Sequence, residues 1–400
     1  MLLSILNFSH KIKVFKLTTT LQPQVIYINQ ETNQDVFFLA LELSNSKWKL
    51  GFSDGNRNRI KNVDAGDIKA VLEEIELARN KFGLSANAEL YSCYEAGRDG
   101  FWIHRWLIHN KINNHVIDSA SIEVSRKSKK AKTDKIDVIK MVEQLVRYIR
   151  GDKKALTTVV VPSEEAEDNR QLHRERERLK KERTGISNHI SSALVTEGIR
   201  GVKLNKEFVD NIKQMTRWDG SLLGEDLQAK LIRAYERYEC VNEQIRLLEK
   251  QQQERTAQAL DGSLEKVKRM MMLKGVGWQS SWILTMELFA WRTFKNRRHL
   301  ASFIGLTGTP FASGDINNEQ GISKAGNKRV RGLMVELAWL WLRYQPQSDL
   351  AQWFERRFAQ GGRRMRRIGI VAVARKLLIA LWRYVEEGIV PQGAIFKVAS

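Results

Sequence analysis

Cysteine is nearly absent. Cys93 and Cys240 are the only two in 400 residues and lie far apart. That excludes a disulfide framework and a thiolate-built metal site, and it fits a reducing cytoplasm. No run approaches 18 uncharged apolar residues, so no apolar segment of the sequence is long enough to span a bilayer as a helix. The opening MLLSILNFSHKIKVFK lacks a basic region before its apolar run and a cleavage site after it. A signal peptide is therefore not expected, and residues 1–35 read as a poorly structured extension. No internal repeats or long low-complexity tracts appear. Acids are the minority charge: 46 Asp and Glu stand against 66 Lys and Arg, for a net charge of +20. A chain this basic is built to meet a polyanion, nucleic acid first and an acidic membrane surface second.

What is present is ample core material, with 42% hydrophobic residues, and a length that suggests two or three domains. Residues 35–55 read as a buried strand, a tight turn and a second strand. DIKAVLEEIELARNKFG (67–83) has helical spacing and stops at Gly83. AELYSCYEAG then reads as a strand, FWIHRWLIHN as a helix, KINNHVIDSA as a strand, and SRKSKKAKTDKIDVIKMVEQLVRYI as a basic loop entering a helix. The order β-β-α-β-α-β-α predicts an α/β domain with a mixed sheet. Residues 163–200 are nearly all helix formers. Residues 224–256 carry a 3-4 seam of Leu231, Ala234, Tyr238, Val241, Ile245 and Leu248. That seam fits an antiparallel hairpin within the chain or a dimerising coiled coil. From 264 onward the chain is helical with glycine punctuation. Within it, LKGVGWQSSWILTMEL fits a helix–hairpin–helix loop near phosphate, as it fits any glycine-turned helix pair.

Four acids could carry chemistry. Glu42 stands in the apolar strand LALELS and Glu95 follows the third strand. Asp134 and Asp137, three apart, share one face of a helix start. An acid inside an apolar strand is costly unless paired or metal-bound. An oxygen-only set suits Mg²⁺, and two such ions can activate an attacking oxygen and stabilise a leaving one. The same residues also suit plainer roles: Asp134 complements a helix N-terminus, Asp137 is a solvated acid and Glu42 an edge residue.

Lys127, Lys129, Lys130, Lys132 and Lys135 form a phosphate-seeking run, and Arg363, Arg364, Arg366 and Arg367 form a second. Either is also what a solvated charged loop looks like. Between two apolar segments lies FASGDINNEQGISKAGNKRVRG, a polar stretch with Ser313–Gly314 near its start and Lys324, Asn327, Lys328, Arg329 and Arg331 behind it. A serine attacking a phosphodiester needs flanking cations and a loop able to approach the backbone. A polar turn with Ser323 capping the next helix would use the same residue types.

Four ordered stretches carry a wider resemblance: LALELSNSKWKL, CYEAG, KAKTDKIDVIKMV, and GLTGTPFASGDINNEQGISKAGNKRVRGLMVELAWLWLRYQP, with VAVARKLLIALWRYVEEGIVPQGA closing the match. Over residues 36–396 the chain resembles the IS110-type transposases, within them the IS1111-like group, and is similar to the Piv-type DNA invertases. The resemblance implies an α/β RuvC-like (RNase H-type) domain over 36–155, a helical coiled-coil middle over 156–262, and a mainly α transposase domain over 263–396. It implies Glu42, Glu95, Asp134 and Asp137 as a Mg²⁺-binding acid set, with Glu42 where many relatives have Asp. It implies Ser313 as nucleophile, preceded by Ala312 where some relatives have serine. Gly314, Lys324, Asn327, Lys328 and Arg329 would meet DNA or RNA.

The implied activity is cutting and rejoining DNA through a covalent serine intermediate, guided by a structured RNA from the element. The implied assembly is a homodimer or homotetramer, with the acidic site of one subunit completing the serine site of another, in the cytoplasm at the nucleoid. A metal-dependent nuclease with no covalent step, or a non-catalytic nucleic-acid-binding remnant, would be the rival readings.

Overall fold

The computed structural model describes residues 35–122, 134–258, 262–313 and 316–397, with the backbone alone at 120, 134–135, 310–313 and 316–320. The chain divides into two compact units, up to Val161 and from Pro162.

The first unit is built on β1 (Val36–Glu42), β2 (Lys47–Ser53), β3 (Asn58–Asp64), β4 (Glu89–Glu95) and β5 (Asn113–Ile117) in the spatial order β3-β2-β1-β4-β5. β1 pairs antiparallel with β2, and β2 with β3, while β4 and β5 join parallel. β1 reads VFFLALE because both its faces are covered, as central strands of mixed sheets require. Phe37, Leu39 and Leu41 pack against α1 (Ile68–Phe82) and α2 (Trp102–His109). Phe38 and Ala40, with Cys93 of β4, pack against α3 (Asp134–Ile149) through Val138, Met141, Val142 and Leu145. The expected α1 is present, capped by the Asp67 side chain and closed by Gly83 at φ 71°. Sequence reading passed over β3. Its residues NRIKNVD form a mostly solvated edge strand without an alternating apolar pattern.

The second unit opens with a helical arm. α4 (Glu164–Asp168) leads into α5 (Gln171–Thr196), and after α6 (Phe208–Gln214) the chain returns along α7 (Glu225–Gln258). α5 and α7 run antiparallel: Arg176 meets Glu249, Arg183 donates to Asn242 Oδ1 at 3.1 Å, and Ile190 packs in one cluster with Leu231. The seam expected on α7 is thus covered within the chain. Leu231, Ala234, Val241 and Ile245 are buried, and so is Tyr235, which lies outside the heptad pattern and stacks on Phe208 at 4.8 Å.

The rest of the second unit is α8 (Gly262–Met271), α9 (Trp278–Leu284) running into a π-helical turn (Thr285–Phe289), α10 (Arg297–Phe303), the hairpin β6 (Gly308–Ser313) and β7 (Ile316–Ile322), α11 (Lys328–Tyr344), α12 (Asp349–Phe354) with a second π turn (Glu355–Ala359), and α13 (Arg363–Glu387). Their shared core includes Leu300, Ile304, Met334, Trp341, Val373 and Leu377. Among the described residues no helix is long and apolar enough to cross a membrane.

Candidate functional site: an acidic sheet edge and a clamped serine hairpin

In the first unit, strand alternation fixes where the acids stand. Phe38, Ala40 and Glu42 share one face of β1, and Tyr91, Cys93 and Glu95 share the same face of β4. The register pairs Leu41 with Tyr94, so Glu42 and Glu95 are the next step of that ladder, on strands about 4.8 Å apart. Glu42 is the last residue of β1 and half-buried, not mid-strand as the sequence suggested. A half-buried carboxylate at a strand end stands without a metal at less desolvation cost than one inside the strand.

α3 covers this face in the opposite sense to β1. Val138 lies against Gly51, which pairs with Ala40, whereas Arg150 after the helix lies against Gly55, past the pairing of Ser53 with Phe38. The first turn of α3, with Asp134 and the half-buried Asp137, therefore stands toward the end that holds Glu42 and Glu95. Asp118, directly after β5 and half-buried, stands at the same edge of the sheet, and sequence reasoning missed it. No group of three or more His, Cys, Asp or Glu placed to hold a metal occurs among the described residues. Cys93 is a packing residue whose thiol burial pushes well up. Lys129, Lys130 and Lys132 lie outside the described residues, and Lys135 is in the first turn of α3.

In the second unit the polar stretch is not a loop but a two-stranded hairpin. Ser313 ends β6 and pairs with Ile316, and Gly314 lies outside the described residues. The foot of the hairpin is clamped by backbone. Ser323 N–H donates to the Thr307 carbonyl at 2.9 Å, Lys324 N–H to Gly305 at 3.2 Å, and Asn327 N–H to Phe303 at 3.2 Å. The Arg331 guanidinium bridges the carbonyls of Ile304 and Ala325 at 3.0 and 3.1 Å. Gly305 (φ 69°) and Gly326 (φ 79°) make this crossing possible, since a Cβ on either would run into the carbonyl oxygen of Ala325 or Phe303. Lys324 is held left-handed at φ 57°, a conformation a lysine rarely adopts.

The cap of α11 is Asn327, whose side chain accepts from Val330 N–H at 3.2 Å; Ser323 does not cap it. Asn327 also donates through Nδ2 to Glu287 at 3.1 Å. Glu287, absent from the sequence reading, is the centre of a buried network. His173 Nε2 meets Oε1 at 2.8 Å, Arg174 meets both oxygens at 2.9 and 3.0 Å, and Arg329 meets Oε1 at 3.3 Å. Arg329 also pairs with Glu177. Burial alone would raise the Glu287 carboxyl, but bonds from His173 and Arg174 and their charge outweigh it and hold the group far below the carboxylate range. Burial outweighs the bond to Glu287 at His173 and keeps the imidazole below its usual value. Its Nδ1 has no partner among the described residues, which fits a neutral ring donating from Nε2.

Asn327 and Arg329 therefore engage the protein's own interior, whereas Lys324 and Lys328 are exposed. Arg363, Arg364, Arg366 and Arg367 are all exposed in the first turns of α13. The glycine-turned segment before α9 faces inward: Gly275 abuts Tyr344 and the Leu340 carbonyl, and Ser281–Leu284 are buried.

Residues 267–352, which include the hairpin and α11, match the family model described as Transposase IS116/IS110/IS902 family. A Sinorhizobium fredii protein assigned as a transposase, y4rJ, is 37% identical over 374 residues, covering 90% of this chain and 94% of that one. The transposase for insertion sequence element IS1328 of Yersinia enterocolitica is 27% identical over 224 residues, covering 55% of this chain and 63% of that one. With a relative this similar matched along nearly its whole length, the chain belongs to the IS116/IS110/IS902 family of transposases.

Proposed function

We propose that the protein is the recombinase of an insertion element and that Ser313 is its nucleophile. The observation that carries the reading is the hairpin: a serine at the end of a short strand, on a foot locked by backbone bonds and followed by exposed Lys324 and Lys328. Ser313 Oγ would attack phosphorus, forming a new P–O bond as the bond to the leaving deoxyribose oxygen breaks. The hydroxyl proton passes to solvent or a base, and the leaving oxygen takes one up. Attack by the hydroxyl of a second strand then releases the serine and joins the new ends. The exchange conserves phosphodiester energy and needs no oxidant or nucleotide.

Glu42, Glu95, Asp134 and Asp137 are our candidates to hold Mg²⁺. Their oxygen-only donor chemistry suits that ion, and the first unit's acidic sheet edge supports the choice. When bound, Mg²⁺ would supply positive charge to a phosphodiester oxygen. The protein's own acids would orient the ion. The mixed five-stranded sheet is compatible with a RuvC-like domain. A structured RNA from the element pairing with target and donor DNA, and a homodimer or homotetramer as the working assembly, complete the reading.

The test is covalent trapping. Protein, element-end DNA, flanking RNA and Mg²⁺ are denatured and resolved beside Ser313→Ala and Asp134→Ala. We expect a protein–DNA adduct that Ser313→Ala abolishes. Cleavage that survives Ser313→Ala but fails in Asp134→Ala would instead establish a metal-dependent nuclease, the reading the acidic edge favours on its own.

A further inference from the structure

A groove of about 2150 Å³ opens on the second unit, lined by ten arginines and lysines and a single acid, Asp349. One wall is α13, where Ile368, Val371, Ala372, Ile379 and Ala380 stand between the cations that line the groove. Val373, Ala374, Leu377, Leu378 and Leu381 are buried in the core, while Arg364, Arg367, Arg375, Lys376 and Arg383 face the groove. Arg356 and Arg357, from the π turn after α12, join them. Arg383 pairs with exposed Glu387 at 3.1 Å. Arg356, Arg357, Arg364, Arg367 and Arg375 form no ion pair with an acid among the described residues. Like charges this concentrated repel one another, and those in the first turns of α13 also oppose the positive end of its dipole. An arrangement that raises the energy of the empty protein is complementary to an anion that arrives later.

Three features specify that anion. The groove is long: Arg364 and Arg383 are nineteen residues apart on one helix, roughly 28 Å at about 1.5 Å per residue. Phosphates along one strand advance by about 3.4 Å, so the row matches about eight of them. The aromatic face the groove offers is taken, since Lys376 Nζ sits 4.6 Å over the Trp353 ring. That leaves cations rather than stacking platforms to make the contacts. Finally, Thr307, Thr309, Gly321, Ser323 and Lys324 line one part of the groove, and these are the foot of the serine hairpin.

We propose that this groove is a phosphate track for about eight nucleotides of one strand, gripped through its backbone without base readout and led to the foot of the hairpin. The proposal rests on the nucleic-acid reading given above. DNA and RNA share the chemistry, so the experiment carries both.

Fluorescently labelled single-stranded DNA, single-stranded RNA and duplex DNA of mixed sequence, from four to sixteen nucleotides, are titrated with full-length protein at several salt concentrations. The comparison is between wild type and the triple reversal Arg364→Glu, Arg367→Glu and Arg375→Glu, its fold checked by melting. A reversal at exposed Lys250→Glu on α7 serves as the charge control. We expect the triple variant to lose on the order of 100-fold in affinity and about three units of salt slope, and the control to lose far less. The gap between wild type and triple variant should level off near eight nucleotides and be independent of sequence. A loss on DNA alone or RNA alone assigns the strand the track holds, and equal loss means it takes either. A folded triple variant with wild-type affinity and slope on all three probes overturns the track. The titration requires no strand cleavage, so its readout does not depend on the Ser313 chemistry. Failure of the covalent mechanism would therefore appear in the trapping gel and failure of the track in this titration.

Discussion

Glu42 and Glu287 are both glutamates beside the apolar heart of a unit, and they are handled in opposite ways. Glu42 ends a strand at the sheet edge and is half-buried, with Glu95 on the neighbouring strand. Glu287 is 2% exposed and surrounded by two arginines, a histidine and an asparagine. An acid meant to meet something from outside has to remain open at an edge. An acid sealed inside has to be saturated by donors, and then it fixes geometry. Here it ties α5 to the π turn and to the start of α11, the helix that follows the hairpin. Glu42 is part-exposed at its edge, and Glu287 is sealed in the clamp.

The sharpest way to break this contrast is to remove each carboxylate in turn. Glu287→Ala leaves four partners, the buried His173 and the part-buried Arg174, Asn327 and Arg329, without their acceptor and should cost about 3 kcal/mol in denaturant unfolding. Glu42→Gln, at the half-exposed edge, should cost less than about 1 kcal/mol. Equal losses would end the distinction between edge and clamp. Next in size is the hairpin neck. Gly326→Ala places a Cβ against the Phe303 carbonyl at a left-handed position and should destabilise by roughly 2–4 kcal/mol. Hydrogen exchange should report it first at the amides of Ser323, Lys324 and Asn327. Uniform exchange across the second unit would mean the neck is not a local clamp.

The smallest effect is on pH. His173 has a lowered pKa in the folded protein, so the unfolded chain binds a proton first as pH falls below about 6.5. Glu287, also lowered, adds a loss of stability only below about 4.5. Stability should therefore fall between pH 7 and 5 by on the order of 1 kcal/mol through His173, and His173→Gln should flatten that slope. A slope unchanged in the variant would place the titrating group elsewhere.

Sequence patterning made much of the first unit legible. The apolar run of β1, the Gly83 stop and the helical spacing of α1 each reflect burial or backbone geometry that one residue type satisfies locally. β3 was invisible because a solvated edge strand does not need an apolar pattern. The hairpin has no strand signature in the sequence because backbone pairing, not side-chain alternation, makes it a pair of strands. The family resemblance was readable from ordered motifs around Glu95, Asp134 and Ser313, and the matched relatives place the chain in that family.

By itself the sequence determined the charge excess and much of the succession of elements, because these are properties of residue type and near-neighbour spacing. Only the tertiary structure decided that Glu287 gathers donors from α5 and α11, and that Asn327 and Arg329 turn to it rather than outward. It alone aligned arginines of α13 and of the π turn after α12 along one groove. Burial and charge proximity are relations between distant parts of the chain, and no local window of sequence contains them.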